Sequence, residues 1–527
     1  MQYYLITNAI LILFFISFFF LLFQWVIKAF DFKEFLVILL FSIGIAFIFK
    51  FPFSFHFLGL EYEYSYIFNI SARQFSENIY SVSFLTDGIN AGSLSEPIST
   101  VTYGGHFITY SVFISWFYNI FGYNIYLPSY LNTFIEFLTV LTLSISFRSV
   151  FGFQKYWFIP GCIYSLAPSM NLFGTTHLSE TFSSFIVMMS ILSFFYFYQS
   201  SKRSVLFVFG ICFITALITK RENTVLLVLF IIFALYKAIS SGRNRISNLL
   251  PLLVSIVILI VFLYFIQNIF LIEKIESSEI SANTFRLSNF MKLAPVFLKA
   301  MIDFRWFNIF LLAFIPSILF ILFNRQSHFI QLSVLLLYFA YFLIYTMHYR
   351  SYYFVHFYDV KPFDALRYLK NFYVISTLII SFCLYEHTSN LIFKKLLIPI
   401  SSIFLIISMF NTYILRKQFS SIESENRFLN PKLVLKHLNR EEHSILITDN
   451  ILIFQLLGDR NLELIDLTSF DKFSDKLKNR NVYLFMTSFN KSEYFIHRYP
   501  DIYKKIQMMK KYEIIKFEDD DCLYKIE

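Results

Sequence analysis

The segment YLITNAILILFFISFFFLLFQWVI (residues 4–27) has no charged side chain in 24 consecutive positions. A helix of about 20 apolar residues is long enough to cross the ~30 Å hydrocarbon layer of a membrane. Similar apolar runs recur along most of the 527 residues, of which 57% are hydrophobic and only 15% are charged. A soluble protein carries about 25% charged residues. The sequence therefore predicts a polytopic α-helical membrane protein and excludes a soluble enzyme.

Apolar runs of helical length predict about 12 spanning helices. They cover residues 4–27, 35–50, 127–147, 156–170, 178–199, 205–219, 223–240, 248–268, 305–323, 328–346, 371–387 and 394–412. Glu136 is the main charged residue that falls inside a predicted span. Because an isolated charge in the bilayer is costly, we expect Glu136 to be buried and paired.

The basic residues predict how these helices are oriented. If the further apolar stretch 106–121 lies along the membrane instead of crossing it, the short loops from Lys28 to Lys395 on one side are all basic. The positive-inside rule makes that side the cytoplasm. Both termini and the long segments then lie outside, in the periplasm of a bacterial inner membrane. Orientation thus explains the net charge of +9, and we expect no nucleic-acid partner.

The last hundred residues have a different character, because long apolar runs give way to charged sequence from about Lys417. Short strands are predicted, with helices around 451–458, 470–478 and 500–511; the strands are SILIT (444–448), LELIDL (462–467), VYLFMT (482–487) and YEIIKF (512–517). This alternation predicts a small α/β domain with a mostly parallel sheet. Gly458 stands alone, without a glycine-rich phosphate loop, so a structural or acceptor-docking role is favoured over a nucleotide site.

The first outer segment opens with FHFLGLEYEYSYIFNISARQF (55–75), in which Glu61 and Glu63 lie among aromatic residues. Partly desolvated carboxylates at a membrane surface can act as general bases, although an acidic pair can also simply hydrate a loop. The spacing of apolar residues over 64–79 predicts an amphipathic helix at the interface. The stretch TYGGHFITYSVFISWFYNIFG (102–122) predicts a second membrane-hugging helix.

Two further outer loops carry polar residues. SMNLFGTTHLSET (169–181) places His177 and Glu180 three apart, on one face of a helix. ITKRENT (218–224) places Lys220 and Arg221 at an outer membrane boundary. Cations at that boundary run against the orientation rule, so binding of an anionic phosphate is favoured over simple interfacial anchoring.

The order of these features resembles the GT-C superfamily of membrane glycosyltransferases, which includes protein mannosyltransferases and aminoarabinose transferases. Members take sugars from polyprenyl-phosphate donors. They carry an acidic residue in the first outer loop, followed by two juxtamembrane helices. The resemblance implies a GT-C-like transmembrane domain over 1–415, with the acidic pair in the outer loop 51–126, and a small extracytoplasmic α/β domain over 416–527.

The resemblance also implies roles for individual residues. Many relatives have adjacent Asp-Glu where this chain has Glu-x-Glu, so either Glu61 or Glu63 is the base; Glu63 is favoured because Glu63 and Tyr66 reproduce an acid-x-x-Tyr spacing. Tyr66 and His106 are implied at the acceptor site. The expected phosphate-binding residues are Lys220, Arg221, Arg350 and Arg367, the last lying in a Leu-Arg-Tyr (366–368) similar to the late Arg-Tyr of several GT-C families.

Metal dependence varies among the branches of the superfamily. A divalent cation, Mg²⁺ or Mn²⁺, is possible here, held by Glu61, Glu63, His177 and Glu180, but no spacing rule enforces it. The four cysteines form no CxxC pair, so neither a zinc site nor a disulfide framework is expected.

The function implied is an inverting transferase that moves a sugar from a polyprenyl-phosphate donor to a hydroxyl of a lipid, glycan or protein acceptor. Two alternatives stay open. A polysaccharide polymerase or O-antigen-ligase-type enzyme also has about a dozen spans, but concentrates arginines in a larger late outer loop. A lipid-linked-sugar flippase or other transporter places charges mid-bilayer, where this sequence has few.

Overall fold

The fold is taken from a computed structural model of the whole chain. The structure describes residues 2–50, 63–80, 84–85, 100–101, 108–174, 176–200, 202–229, 231–232, 287–303, 310–323, 329–347, 369–386, 391–419, 422–438, 444–449, 451–457, 462–467, 477, 480–487, 490, 496–497, 499–517 and 520–527.

Helices make up most of the described chain. In order they are α1 (Gln2–Ala29), α2 (Phe32–Phe49), α3 (Glu63–Ser76), α4 (Thr109–Phe121), α5 (Leu127–Ser149), α6 (Ile159–Tyr164), α7 (Pro168–Phe173), α8 (Glu180–Ser200), α9 (Arg203–Thr219), α10 (Leu287–Ile302), α11 (Phe310–Phe323), α12 (Phe329–Met347), α13 (Lys370–Glu386), α14 (Leu391–Phe419), α15 (Ile422–Leu438), α16 (Ile451–Leu457) and α17 (Pro500–Met508). The strands are β1 (Phe84–Leu85), β2 (Thr100–Val101), β3 (Ser444–Thr448), β4 (Glu463–Asp466), β5 (Asn481–Met486), β6 (Lys511–Lys516) and β7 (Cys522–Ile526).

Five of the described helices are long and apolar enough to cross a membrane: α1 from Tyr4, α2, α5, α8 and α12. Shorter apolar helices lie at Arg203–Thr219, Phe314–Phe323 and Pro399–Leu415. The predicted span 248–268 lies outside the described residues. The chain is thus a polytopic α-helical membrane protein with a small C-terminal sheet, while the predicted number of about 12 spans stays a prediction.

Helices α1 and α8 show how the apolar sequence is used. In α1, residues spaced three and four apart form one fully buried stripe, namely Leu11, Phe14, Phe18, Leu21 and Trp25. The opposite face exposes apolar side chains such as Ile16 and Phe23, as expected of a helix against lipid. Helix α8 is buried on every side from Glu180 to Tyr196. It is therefore a central helix, and α1 lies at the periphery.

The prediction of a single spanning helix over 156–170 is wrong, because this segment forms two short helices. Helix α6 ends at Tyr164 and α7 begins at Pro168, with Ser165 to Ala167 buried between them. Proline cannot continue a helix without losing a backbone hydrogen bond, which explains the interruption. Non-helical backbone is tolerated in a membrane domain only where other groups satisfy it.

Side chains from other helices satisfy this broken backbone. The Tyr373 hydroxyl lies 3.0 Å from the Ile163 carbonyl oxygen and 2.9 Å from that of Tyr164, and it accepts the Ala167 N–H at 3.0 Å. The Ser408 hydroxyl lies 2.9 Å from the carbonyl oxygens of both Ser165 and Leu166. The interruption between α6 and α7 is therefore stabilised by specific hydrogen bonds from the surrounding helices.

The C-terminal sheet has five strands in the order β4-β3-β5-β7-β6. Strands β4, β3 and β5 pair in parallel, whereas β7 pairs antiparallel with both β5 and β6. The predicted mostly parallel sheet is therefore corrected to a mixed one, because the sequence analysis missed β7. Alternating residues of β3 and β5 feed two hydrophobic clusters, as expected of a sheet covered on both faces.

The chain divides into two compact units. The first comprises Met1–Phe55, Gly104–Phe113 and Pro128–Lys417, and the second His56–Tyr103, Ile114–Leu127 and Gln418–Glu527. The second unit thus joins much of the first outer loop to the C-terminal sheet. The division between 415 and 416 that the sequence suggests stays a prediction.

Candidate functional site

The second outer loop is held in place by Asn132 of α5. The Asn132 side-chain amide donates to the carbonyl oxygens of Thr176 and Leu178, the two residues that flank His177. His177 itself is fully buried, and this burial lowers the pKa of its imidazole to about 3. The loop therefore presents a neutral, fixed histidine.

Glu180 and Lys220 form an ion pair at the end of this loop. Glu180 opens α8, and Lys220 directly follows α9. The Lys220 Nζ lies 2.9 Å from Glu180 Oε1, and the two side chains are 14% and 10% exposed. The two residues lie in separate loops of the sequence, and the fold brings them together. The helix N-terminus stabilises the Glu180 carboxylate, and the ion pair holds the Lys220 ammonium at a fixed place.

Asn223 fixes the turn that carries Lys220 and Arg221. This turn continues as a 3-10 helix over Arg221–Leu226, and Asn223 is fully buried within it. Its amide nitrogen donates to Ser183 Oγ at 3.1 Å and to the Ala216 carbonyl at 2.8 Å. Sequence reasoning singled out the two cations of this motif and missed the amide that holds them.

The side-chain oxygen of Asn223 also accepts two hydrogen bonds. Its oxygen accepts from the Tyr341 hydroxyl at 3.1 Å and from the Asn371 amide at 3.4 Å. One side chain thus ties the turn to α8, α9, α12 and α13. Removing a buried amide with four partners leaves several polar groups unsatisfied, so we expect Asn223 to be a rigid anchor of the turn.

The first turns of α4 pack against α8 and the end of α9, within the first unit. The Thr109 hydroxyl donates to the Ile218 carbonyl, two residues before Lys220. Phe113 stacks on Phe182 of α8, with ring centroids 4.6 Å apart. The start of the second juxtamembrane helix is therefore packed beside the helix ends that carry the Glu180–Lys220 pair.

A cluster of three buried charges, here called the Lys-Glu-Lys cluster, consists of Lys50, Glu136 and Lys370. The Nζ atoms of Lys50 and Lys370 lie 2.9 Å and 2.5 Å from the Glu136 carboxylate, and none of the three side chains is more than 1% exposed. The Tyr164 hydroxyl donates to Glu136 Oε1 at 3.0 Å. The prediction that Glu136 is buried and paired is confirmed.

Its two partners were missed by the sequence analysis. Lys50 caps the C-terminus of α2, and Lys370 begins α13, so both lie at the ends of predicted spans. Lysines in such places are usually interfacial anchors. One feature of the sequence could have identified them. Lys50 and Lys370 are cations at the outer membrane boundary, as are Lys220 and Arg221.

The first outer loop is described only in part. Glu63 is the first residue of α3, and Tyr66 lies within that helix, but their side chains are outside the described part. The same holds for the side chain of Arg221. Glu61, His106, Arg350 and Arg367 lie wholly outside the described residues. Their predicted roles therefore stay predictions.

Within the second unit, α3 packs against the second half of α4. The Tyr118 hydroxyl donates to Asn69 Oδ1 at 2.7 Å, and the Arg73 guanidinium lies 4.7 Å from the centre of the Tyr123 ring. Helices are thus present in both stretches and contact each other, while their position along the membrane surface stays a prediction. Helix α3 ends three residues before the predicted stretch does, and α4 covers the last part of 102–122, of which residues 102–107 lie outside the described part.

A metal ion would need several oxygen or nitrogen ligands in one place. Among the residues that the structure describes, no group of three His, Cys, Asp or Glu side chains is placed to hold one. Glu180 Oε1 already has the Lys220 ammonium beside it. Two of the predicted ligands, Glu61 and Glu63, have no described side chain, so a divalent cation held by Glu61, Glu63, His177 and Glu180 stays a prediction.

No family model and no curated protein matches the sequence. Solved structures do. The crystal structure of ArnT from Cupriavidus metallidurans bound to undecaprenyl phosphate superposes with a TM-score of 0.61 at 10% identity, over 94% of this chain and 98% of that one. The apo structure of the same protein gives a TM-score of 0.52 at 10% identity, over 88% and 93%. This chain therefore has an ArnT-like membrane fold over almost its whole length.

Proposed function

We propose that the protein is an inverting glycosyltransferase that transfers a sugar from a polyprenyl-phosphate donor to an acceptor hydroxyl. It would act at the periplasmic face of a bacterial inner membrane. The observation that carries this proposal is the end-to-end fold similarity to ArnT, whose crystal structure holds undecaprenyl phosphate. The Glu180–Lys220 pair supports it, because a fixed and largely buried ammonium can bind an anionic phosphate.

The reaction needs one base and a set of cations. Glu61 or Glu63 would remove the proton of the acceptor hydroxyl, whose oxygen then attacks the anomeric carbon of the sugar. The bond from that carbon to the phosphate oxygen breaks, and polyprenyl phosphate leaves with the bonding electrons. Negative charge develops on the departing oxygen, so fixed cations lower the barrier. The residues proposed for this are Lys220, Arg221, Arg350 and Arg367.

Glu180 would hold Lys220 ready for the donor. A lysine ammonium carries three N–H donors, so a bond to Glu180 is compatible with a second bond to a phosphate oxygen. Because both side chains are largely buried, a lysine without its glutamate would be costly in the free protein. Glu180 and His177 thus belong to the scaffold of the donor region, and the acceptor hydroxyl would belong to a lipid, a glycan or a protein.

A second function, transport of a lipid-linked sugar, is favoured by one observation. The Lys-Glu-Lys cluster is buried among membrane helices, and intramembrane charges often mark transport pathways. In a transporter this cluster would change partners during each cycle. A transporter would move the lipid-linked sugar without breaking its glycosidic bond, whereas a transferase consumes it.

The test is the lipid-linked sugar pool of the source organism after deletion of the gene. The strain is complemented with the wild type, with Glu61→Gln/Glu63→Gln, with Lys220→Gln, or with Lys202→Gln. Lys202 is the matched control, because it is an exposed lysine at the other end of α9. Membrane abundance of each variant is measured in parallel.

Transferase activity predicts that a polyprenyl-phosphate monosaccharide accumulates on deletion. Wild type and Lys202→Gln should clear it, and the other two variants should not. Accumulation of longer lipid-linked oligosaccharides would favour a polymerase or ligase instead. Sugar that stays attached to its lipid but changes sides of the membrane would favour transport. Full clearance by the double glutamate variant would contradict the proposed base.

A further inference from the structure

Glu136 touches more than its two lysines. Gly174, which directly follows α7, lies so close that a Cβ on it would be 2.7 Å from Glu136 Cδ. Real Cβ atoms do not come that near, so glycine at 174 lets the loop backbone lie directly on the carboxylate. The Thr181 hydroxyl also lies 3.4 Å from the Gly174 carbonyl, joining this backbone to the start of α8.

Lys370 makes a second link. Besides its ion pair with Glu136, its Nζ donates to the Met170 carbonyl of α7 at 3.1 Å. Met170 lies four residues before Gly174. Lys370, Glu136 and the backbone of 170–174 therefore form one connected polar network inside the first unit.

One of the cations proposed for the donor phosphate is linked to this network through its ion-pair partner. Glu180, the partner of Lys220, follows Gly174 by six residues. A single carboxylate thus fixes both Lys370 at the start of α13 and the backbone at Gly174, from which the chain leads to the Glu180–Lys220 pair.

Stability alone does not account for such a cluster. Three charges with at most 1% exposure must be desolvated on folding, and apolar side chains of similar volume usually pack at least as stably. Buried ionic groups are, however, well suited to fixing one arrangement among several, because any other arrangement leaves a charge unpaired.

We propose that Glu136 is a positioning residue for donor binding, holding Lys370 and Gly174 so that Lys220, paired with Glu180, is placed to bind the donor phosphate. This inference rests on the proposed function. It gives Glu136 no contact with the sugar, the acceptor or the reacting atoms. Its effect is therefore on the affinity for the lipid phosphate.

The test is binding of undecaprenyl phosphate to the purified full-length protein in detergent, together with thermal unfolding of each variant. Glu136→Asp keeps all three charges and shortens the carboxylate by one methylene. The triple variant Lys50→Met/Glu136→Gln/Lys370→Met removes all the charges; glutamine has the shape of glutamate, and methionine is one atom shorter than lysine. Thr142→Val is the matched control, because Thr142 is also fully buried in α5.

We expect the triple variant to unfold near the wild-type temperature and to bind undecaprenyl phosphate about tenfold more weakly or worse, since coupled residues shift affinities by that order. Glu136→Asp should bind more weakly than the wild type by a smaller factor, and Thr142→Val should bind as the wild type does. Unchanged affinity in Glu136→Asp and in the triple variant would overturn the positioning role.

The outcome also separates this inference from the proposed function. If the wild type itself does not bind undecaprenyl phosphate, the donor class is wrong and the inference fails with it. If the wild type binds undecaprenyl phosphate and the variants bind it equally tightly, the transferase proposal stands. The Lys-Glu-Lys cluster would then have only a structural role in helix packing. A triple variant that does not fold leaves the decision to Glu136→Asp, which retains every charge.

Discussion

Asp449 in the C-terminal sheet allows a quantitative prediction about pH. It follows β3, and its Oδ2 accepts from Thr487 Oγ1 at 3.1 Å and from Asn490 Nδ2 at 3.0 Å. Burial outweighs these two bonds and raises the pKa of Asp449 to about 6 from the ordinary 3.8, with nearby Asp466 adding to the rise. The folded domain therefore prefers the protonated carboxyl.

The sign and size of the effect follow from linkage. Between pH 3.8 and 6 the folded state binds more protons than the unfolded state, so stability falls as pH rises and stays low above pH 6. The full shift corresponds to about 3 kcal/mol, at about 1.36 kcal/mol per pKa unit. Between about pH 4.5 and pH 7.5, Asp449 should lower the free energy of unfolding of the sheet by about 2 kcal/mol.

Asp449→Asn removes the titration with little change of shape. Its amide oxygen can accept the bonds from Thr487 and Asn490 that Oδ2 accepts now. Hydrogen exchange of the full-length protein in detergent, corrected for intrinsic rates, gives the opening free energy of β3 and β5 at both pH values. Asp501→Asn, an exposed acid on α17, is the matched control.

We expect the opening free energy of the wild type and of Asp501→Asn to fall with pH by about 2 kcal/mol more than that of Asp449→Asn. The same pH dependence in all three proteins would refute the reasoning, because the carboxyl would then titrate alike in the folded and unfolded states. A rise of wild-type stability with pH relative to Asp449→Asn would reverse the sign and refute the burial argument.

Three further predictions concern the membrane domain and are read from thermal or denaturant unfolding in detergent. Gly174→Ala should cost about 1–3 kcal/mol because its Cβ would overlap Glu136, whereas Gly44→Ala, with open space around it, should be neutral or slightly stabilising; equal effects would contradict the close approach. Asn223→Leu should cost about 2–4 kcal/mol, because several buried partners lose their bonds; a loss below about 1 kcal/mol would show that they re-pair. Arg148→Met breaks a 2.6 Å ion pair whose side chains are 19% and 42% exposed, so it should cost less than about 1 kcal/mol, and a larger loss would contradict the weak value of exposed pairs.

The helices that the sequence predicted best are those with uniform local signals. Helix α8 was predicted over 178–199 and found over Glu180–Ser200, because an apolar run marks a span however it packs. The break after Tyr164 escaped the same reasoning. Pro168 was a visible signal, but the hydroxyls that satisfy the exposed backbone come from Tyr373 and Ser408, whose proximity only the tertiary fold reveals.

The sheet shows the same limit. Strand β3 is five buried residues and was predicted at its observed bounds, 444–448. Strand β7 follows three aspartates and contains a lysine, so its composition gave no strand signal. Its place between β5 and β6 depends on long-range pairing, which local propensity does not encode.

The candidate site divides along similar lines. Glu180 and Lys220 were each singled out from their loops, since charges at an outer boundary are conspicuous in an apolar sequence. That they pair with each other was not predictable, because 40 residues separate them. For Glu136 the need for a partner was predictable from the cost of burial, and the identity of the partners was not.

The interruption between α6 and α7 also has a consequence for biosynthesis. Its backbone groups are satisfied by side chains that are translated 206 to 243 residues later. At about 5–20 residues per second, the last of these partners follows the break by roughly 10 to 50 seconds. Until then the backbone groups of the nascent segment must form hydrogen bonds with water or with the insertion machinery. The segment can therefore pack in its final position only after most of the chain has left the ribosome.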